Sequence, residues 1–189
     1  NIIEIRSLMI KAKKRNARFL IFGNGGSAAI ASHVSVDLTK NVKVKAINFN
    51  EADLITCFSN DYGYEKWVEK SIDFYADKKD ILILISSSGK SKNMLNACKA
   101  ARRKKISKII TLTGNKKNNP LSKLGDINLW VNSNIYNHIE NIHQIWLLSI
   151  CDLIRLNKVK VDIIKFKPDI VIHLASQPIV KVGFLNPYK

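Results

Sequence analysis

The stretch Ile81-Leu82-Ile83-Leu84-Ile85-Ser86-Ser87-Ser88-Gly89-Lys90-Ser91 decides the fold. Its first five residues are all apolar, which predicts a strand that is buried on both faces. Strands of this kind are typical of the centre of a parallel sheet. The small, hydroxyl-rich turn after the strand then opens a predicted helix over 91–103.

Strand and helix patterns alternate on both sides of this stretch. The predicted strands cover residues 18–22, 42–47, 109–112 and 127–131. The predicted helices cover residues 2–17, 27–39 (capped by Ser27), 50–57, 61–75 and 135–157. This alternation predicts an α/β fold, a doubly wound three-layer sandwich with a central parallel sheet. Ligands bind such sheets beyond the carboxyl ends of the strands.

Two turns at those carboxyl ends have similar chemistry. Gly23-Asn24-Gly25-Gly26-Ser27 follows the first strand, and Ser86-Ser87-Ser88-Gly89-Lys90-Ser91 follows the central one. A helix N-terminus offers free backbone N–H groups to a phosphate, and serine hydroxyls add donors. Helix capping alone also explains a single turn of this kind. The Walker pattern and the GxGxxG fingerprint are both missing, so no NAD is expected.

Composition indicates one main cytoplasmic domain. The chain has 189 residues, of which 46% are hydrophobic, and its three widely spaced cysteines are interpreted as buried residues in a reducing compartment. No apolar run is long enough to cross a membrane, and the N-terminus lacks the layout of a signal peptide. The formal charge of +16 comes from scattered lysines without interleaved aromatic residues. These lysines are interpreted as a solvated surface, so neither nucleic acid nor membrane is an expected partner.

Five motifs, in order, resemble the phosphoheptose isomerases of the sugar-isomerase (SIS) domain family. They are the Gly23–Ser27 turn with His33 and Asp37-Leu38-Thr39, then Asn60-Asp61-Tyr62-Gly63, Ile85–Ser91, Ile110-Thr111-Leu112-Thr113-Gly114 and Ile139-Glu140-Asn141-Ile142-His143. The resemblance covers about residues 2–157. It implies conversion of sedoheptulose 7-phosphate to a manno-heptose 7-phosphate for lipopolysaccharide or capsule synthesis. It also implies a homo-oligomer, a tetramer or dimer, and an N-terminal helical part that is truncated here.

The resemblance assigns most of the binding residues to the two turns. Residues assigned to the phosphorylated sugar are Asn24, Gly25, Gly26, Ser27, Asn60, Asp61, Ser86, Ser87, Ser88, Ser91 and Glu140. His143 matches a histidine of the motif and is given no catalytic role.

The predicted metal and acid–base residues depart from the family pattern. His33 and Asp37 are four residues apart on one helix face, and with Glu140 they are assigned as ligands of one zinc ion per subunit. Asp37, the predicted base, stands where the family has Glu, and Glu140 stands where it often has Gln. Leu148 stands where the family has a histidine that binds metal and acts as the acid. Two hypotheses follow: an isomerase with an incomplete set of groups, or a non-catalytic phosphosugar-binding or regulatory domain.

The last part of the chain has a different pattern. Residues 1–158 form the predicted SIS domain, and residues 159–189 form a predicted tail that contains Pro168-Asp169-Ile170-Val171-Ile172-His173-Leu174-Ala175. The tail resembles a Rossmann-strand fragment of a nucleotide-sugar dehydratase similar to CDP-glucose 4,6-dehydratase. It has no cofactor loop of its own, so it is interpreted as a truncation or fusion remnant.

Overall fold

A computed structural model describes the backbone of residues 1–166 and the side chains of residues 1–156. The chain divides into two units, Asn1–Asn157 and Lys158–Lys189. The predicted dehydratase-like motif, from residue 167 onward, lies outside the described residues. No helix within the described range is both long and apolar enough to cross a membrane.

Helices and strands alternate along the first unit. The strands are Phe19–Gly23 (β1), Ala46–Asn48 (β2), Ile81–Ser86 (β3), Lys108–Thr113 (β4) and Ile127–Trp130 (β5). The α-helices are Ile2–Lys14 (α1), Gly26–Asp37 (α2), Ala52–Tyr62 (α3), Trp67–Tyr75 (α4), Lys92–Arg103 (α5) and Tyr136–Phe166 (α6).

The strands form one parallel sheet in the order β2-β1-β3-β4-β5. β1 and β3 are neighbours, with Phe19 opposite Ile81 and Gly23 opposite Ile85. The order reverses between these two strands, which makes their carboxyl ends the switch point where ligands of doubly wound sheets bind. The predicted fold class and the central position of β3 are thereby confirmed.

The sheet separates two apolar layers because successive side chains of a buried strand face opposite sides. Phe19 and Ile21 pack in a cluster with buried residues of α1, α2 and α6. Leu20 and Phe22 pack in a second cluster with buried residues of α4 and α5. The chain therefore leaves β1 toward one layer and leaves β3 toward the other, which opens a crevice between the two turns.

A buried carboxylate fixes the opposite, amino-terminal edge of the sheet. Asp80 is fully buried directly before β3. Its side chain accepts hydrogen bonds from the guanidinium of Arg18, at 2.6 Å for Oδ2, and from the backbone N–H of Arg18. Its backbone carbonyl accepts the N–H of Ser107, just before β4. One residue thus joins the starts of β1, β3 and β4.

Several predicted element boundaries were wrong for local reasons. The second strand was predicted from Val42, but a turn of π-helix over Leu38–Val42 follows α2 and delays β2 to Ala46. The N-cap of α2 is Gly25, so Ser27 lies inside the helix instead of capping it. The predicted helix 61–75 is interrupted because Gly63, with φ of 90°, ends α3.

Two further differences concern the ends of helices and the cysteines. α6 continues to Phe166 instead of ending near Asn157, since no Gly or Pro interrupts the chain before Pro168. Cys98 and Cys151 are buried as expected, but Cys57 is exposed because α3 has no buried residue.

His143 joins α6 to the carboxyl end of β4. It is fully buried, and its Nε2 lies 3.2 Å from the carbonyl oxygen of Thr113, to which it donates. Burial lowers the pKa of His143 from 6.5 to about 4. The imidazole is therefore neutral at neutral pH, consistent with a structural role.

Replacing Asp80 by Asn should lower the free energy of unfolding by about 3 kcal/mol, because Arg18 would lose its buried anionic partner. The measurement is urea unfolding at pH 7. The control is Asp77→Asn, which removes a more exposed carboxylate paired with the same arginine and should cost less than about 1 kcal/mol. Equal losses in the two variants would contradict the anchoring role of Asp80.

The stability of the protein should depend on His143 between pH 6.5 and pH 4. As pH falls, the unfolded chain takes up a proton near pH 6.5, whereas folded His143 does so only near its lowered pKa of about 4. The stabilisation is present above pH 6.5 and lost toward pH 4, amounting to roughly 3 kcal/mol.

As the pH falls through this range, the free energy of unfolding, measured with urea, should therefore decrease less for His143→Gln than for the wild type. His138→Gln removes an exposed histidine from the same helix and should keep the wild-type slope. An unchanged slope in His143→Gln would mean that other groups cause the pH dependence.

Candidate functional site

A pocket of about 130 Å³ lies at the carboxyl ends of β1 and β3. Its polar walls come from the two predicted turns and from the start of α6. The lining residues that carry polar side chains are Asn24, Ser27, Ser86, Ser87, Ser88, Ser91, Tyr136 and Glu140. The structure thus brings together seven of the residues that the sequence assigned to the site.

The turn after β3 presents hydroxyl groups around the start of α5. Ser86 Oγ and Ser91 Oγ lie 3.2 Å apart, and Ser88 Oγ accepts the backbone N–H of Lys90. Ser87 is only 6% exposed, and its hydroxyl has no hydrogen-bond partner. Although Ser91 is the N-cap of α5, its side chain makes no capping hydrogen bond. Unpaired hydroxyl and backbone donors therefore remain for an anion.

Gly89 gives this turn its shape. Its φ of +63° is a conformation that favours glycine, and a Cβ atom there would overlap the side chain of Asn119. Asn119 is itself buried and donates to the carbonyl oxygen of Lys116. The close approach holds the serine turn against the β4–β5 connection.

The turn after β1 is fixed by an amide pair. Asn24 Nδ2 donates to Asn93 Oδ1 at 3.1 Å, and Asn93 Nδ2 donates back to Asn24 Oδ1 at 2.9 Å. The hydroxyl of Tyr64 also donates to Asn24 Oδ1, at 3.2 Å. Asn93 is buried in the first turn of α5, so this pair connects the two turns across the switch point.

Glu140 places its carboxylate against the first turn of α2. A Cβ atom at Gly26 would overlap the carboxylate oxygens of Glu140, so the glycine is required for this close approach. The partial positive charge at the start of α2 favours a carboxylate in that place. Within the described part of the chain, Glu140 is the only carboxylate that lines the pocket.

His33 and Asp37 lie farther along α2, outside the pocket lining. His33 Nδ1 is 3.2 Å from Gln144 Nε2 on α6, and Asp37 Oδ1 accepts a hydrogen bond from Asn41. Burial, and then the charge of nearby Asp37, raise the pKa of the Cys151 thiol to about 12. Asp37 is eleven residues beyond Gly26, about 16 Å along the helix axis.

These positions do not fit the predicted zinc site. In the part of the chain that the structure describes, no three His, Cys, Asp or Glu side chains come together as a metal site. The carboxylate of Glu140, on α6, lies against the first turn of α2, whereas Asp37 belongs to the last turn of α2. Leu148, where an acid would be expected, is partly buried and packs against the apolar cluster between α2, α6 and the sheet.

Asn60 and Asp61 are also apart from the pocket. Both are exposed near the end of α3, and Asn60 Nδ2 donates to Asp61 Oδ1 at 2.9 Å. Neither lines the pocket. Their assignment to the sugar stays a prediction.

Sequence reasoning missed four residues that shape the site. Gln144 is four residues after Glu140, so helical spacing alone places it on the same face of α6. Asn93 is two residues after Ser91, in the first turn of the helix that the serine turn opens. Tyr64, in the turn between α3 and α4, and Tyr136, the first residue of α6, carried no comparable signal, because only the fold brings them to the site.

Comparison with known proteins agrees with this geometry. The SIS domain family matches residues 1–114. The phosphoheptose isomerase of Aliarcobacter butzleri is 35% identical over 153 residues, which cover 78% of this chain and 80% of that protein. The phosphoheptose isomerase of Helicobacter pylori is 34% identical over 153 residues, covering 78% and 79%.

Two solved structures support the same relationship. A phosphoheptose isomerase from Francisella tularensis has a TM-score of 0.75 and 28% identity, covering 82% of this chain and 85% of that one. One from Neisseria gonorrhoeae also has a TM-score of 0.75 and 28% identity, covering 81% and 84%. The chain spans most of the length of these proteins. It therefore belongs to the SIS-domain proteins and, among them, to the phosphoheptose isomerase family.

Proposed function

We propose that the chain is an isomerase of phosphorylated sugars that converts sedoheptulose 7-phosphate to a manno-heptose 7-phosphate. The observation that carries the proposal is the pocket at the switch point, whose lining combines the serine turn at the start of α5 with the Glu140 carboxylate. In this proposal the phosphate binds the Ser86–Ser91 turn at the start of α5. The sugar hydroxyls extend toward Asn24 and Glu140.

Ketose–aldose interconversion sets the further requirements. A proton moves between neighbouring carbons and another between two oxygens, so a base must lie near the carbon and an acid near the carbonyl. Asp37 is the base that the resemblance implies. It lies beyond His33 on α2, outside the lining of the pocket, so its role as base requires the reacting end of the sugar to extend from the pocket past His33. Zinc stays a prediction from the resemblance alone, since the described side chains of the single chain do not gather as a metal site, and no step of the proposal depends on it.

The predicted homo-oligomer is part of the same proposal. α6 carries large apolar side chains that are exposed in the single chain, among them Ile145 at 60% and Leu156 at 53%. Burying them against a second copy would remove apolar surface from water. The oligomer would also allow a neighbouring copy to complete the acid–base set.

The purified protein should convert sedoheptulose 7-phosphate, followed by NMR with added zinc and with a chelator. Asp37→Asn should lower kcat about 100-fold or more and leave KM nearly unchanged, since a general base contributes roughly 10²–10⁴-fold. Asp152→Asn removes an exposed carboxylate from α6 and should leave turnover intact. An Asp37→Asn protein with full activity would exclude Asp37 as the base.

Leu148 favours the second candidate function, a phosphosugar-binding domain without catalysis, because leucine is neither an acid nor a metal ligand. Under that alternative the wild-type protein binds sedoheptulose 7-phosphate without turnover.

If the isomerase proposal is correct, Leu148→His should raise kcat about tenfold or more by supplying an acid. Leu148→Gln introduces a polar group of similar length that cannot titrate, and it should give no gain. Binding without turnover in the wild type and in Leu148→His would support the binding domain instead.

A further inference from the structure

The two helices that begin at the switch point differ in what occupies their first turns. α5 begins among serine hydroxyls, one of which, on Ser87, is buried and unpartnered. α2 begins at Gly26, against which the carboxylate of Glu140 lies. Both helix starts would attract an anion, but the start of α2 already has one from the protein itself.

We propose that Glu140 makes the pocket selective for sugars with a single anionic group: the phosphate binds at α5, and the end of the sugar near α2 must be neutral. The inference rests on the proposed function and adds to it the class of ligand. It predicts that sugar bisphosphates and phosphorylated sugar acids are excluded, whereas sugar monophosphates with a hydroxyl-bearing far end are accepted.

The charges at the pocket support this selectivity. Among the described residues, those that line the pocket include no Lys, Arg or His, so the lining itself offers no cation to neutralise Glu140. A second phosphate in this pocket would lie beside a like charge and be repelled by it. A sugar hydroxyl in the same place can instead donate a charge-assisted hydrogen bond to the carboxylate.

The carboxylate of Glu140 lies beside Gly26 at the start of α2, and the residue is half-buried at the start of α6. Replacing its charge without changing its size is therefore the most direct test. Glu140→Gln keeps a hydrogen-bonding side chain of nearly equal volume and removes only the negative charge.

The experiment measures dissociation constants of sedoheptulose 7-phosphate and sedoheptulose 1,7-bisphosphate by isothermal titration calorimetry. The wild type should bind the bisphosphate at least about tenfold more weakly than the monophosphate, the factor that 1.4 kcal/mol of repulsion produces. In Glu140→Gln the two constants should become nearly equal. Raising the salt concentration should reduce the difference in the wild type, because salt screens charge repulsion.

Two variants serve as controls. Asp152→Asn makes the same change of charge twelve residues later on α6, about 18 Å along the helix axis. It should keep the wild-type ratio of the bisphosphate and monophosphate dissociation constants. Ser87→Ala removes a donor from the phosphate end and should weaken both ligands to a similar degree.

The outcomes separate this inference from the proposed function. Tight binding of the monophosphate, with the same ratio of the two dissociation constants in Glu140→Gln as in the wild type, would overturn the selectivity and leave the proposed function standing. No binding of either ligand by the wild type and by Glu140→Gln would overturn both. A wild type that binds the bisphosphate more tightly than the monophosphate would also overturn the role of Glu140.

Discussion

The hydrogen bonds of the buried Asp80 carboxylate hold β1 and β3 together at their amino-terminal ends. The side chain and backbone N–H of Arg18 both bond to this one carboxylate, and the backbone N–H of Ile81 then bonds to the carbonyl oxygen of Arg18. This contact starts the parallel pairing in which Gly23 comes opposite Ile85. Because the two strands end at the same level, their turns lie side by side, and the pocket exists only because of that alignment.

The pocket divides its chemistry between the two layers of helices. The serine turn and the start of α5, on one side of the sheet, present hydroxyl and N–H donors, whereas α6, on the other side, presents the carboxylate of Glu140. The Asn24–Asn93 amide pair connects the two sides of the pocket, and both the oxygen and the nitrogen of the Asn24 side chain take part in it. A residue of the turn after β1 is thus oriented by a residue of α5, so displacement of either helix would disturb both ends of the pocket.

The fold and the serine turn were predictable from local sequence, but the assembly of the carboxylates was not. The run Ile81–Ile85 is apolar at every position, which suits a strand buried on both faces, and Ser86–Ser91 follows it directly. His33 and Asp37 share a helix face as predicted. His33 contacts Gln144 and Asp37 lies near Cys151, and the two do not come together with Glu140 as a metal site. Spacing within one helix specifies which residues share a face, but not how far that helix slides past its neighbour.

The sequence by itself determined the order of strands and helices, the central position of β3, and the two turns that carry small and hydroxyl-bearing residues. These features depend on side-chain periodicity and turn chemistry, which act over a few neighbouring residues. Only the tertiary structure decided that Glu140 rests on Gly26, that Asn93 pairs with Asn24, and that Leu148 packs into the apolar cluster. Those contacts join residues far apart in the chain, and they depend on how the helices pack on the sheet, which local pattern does not specify.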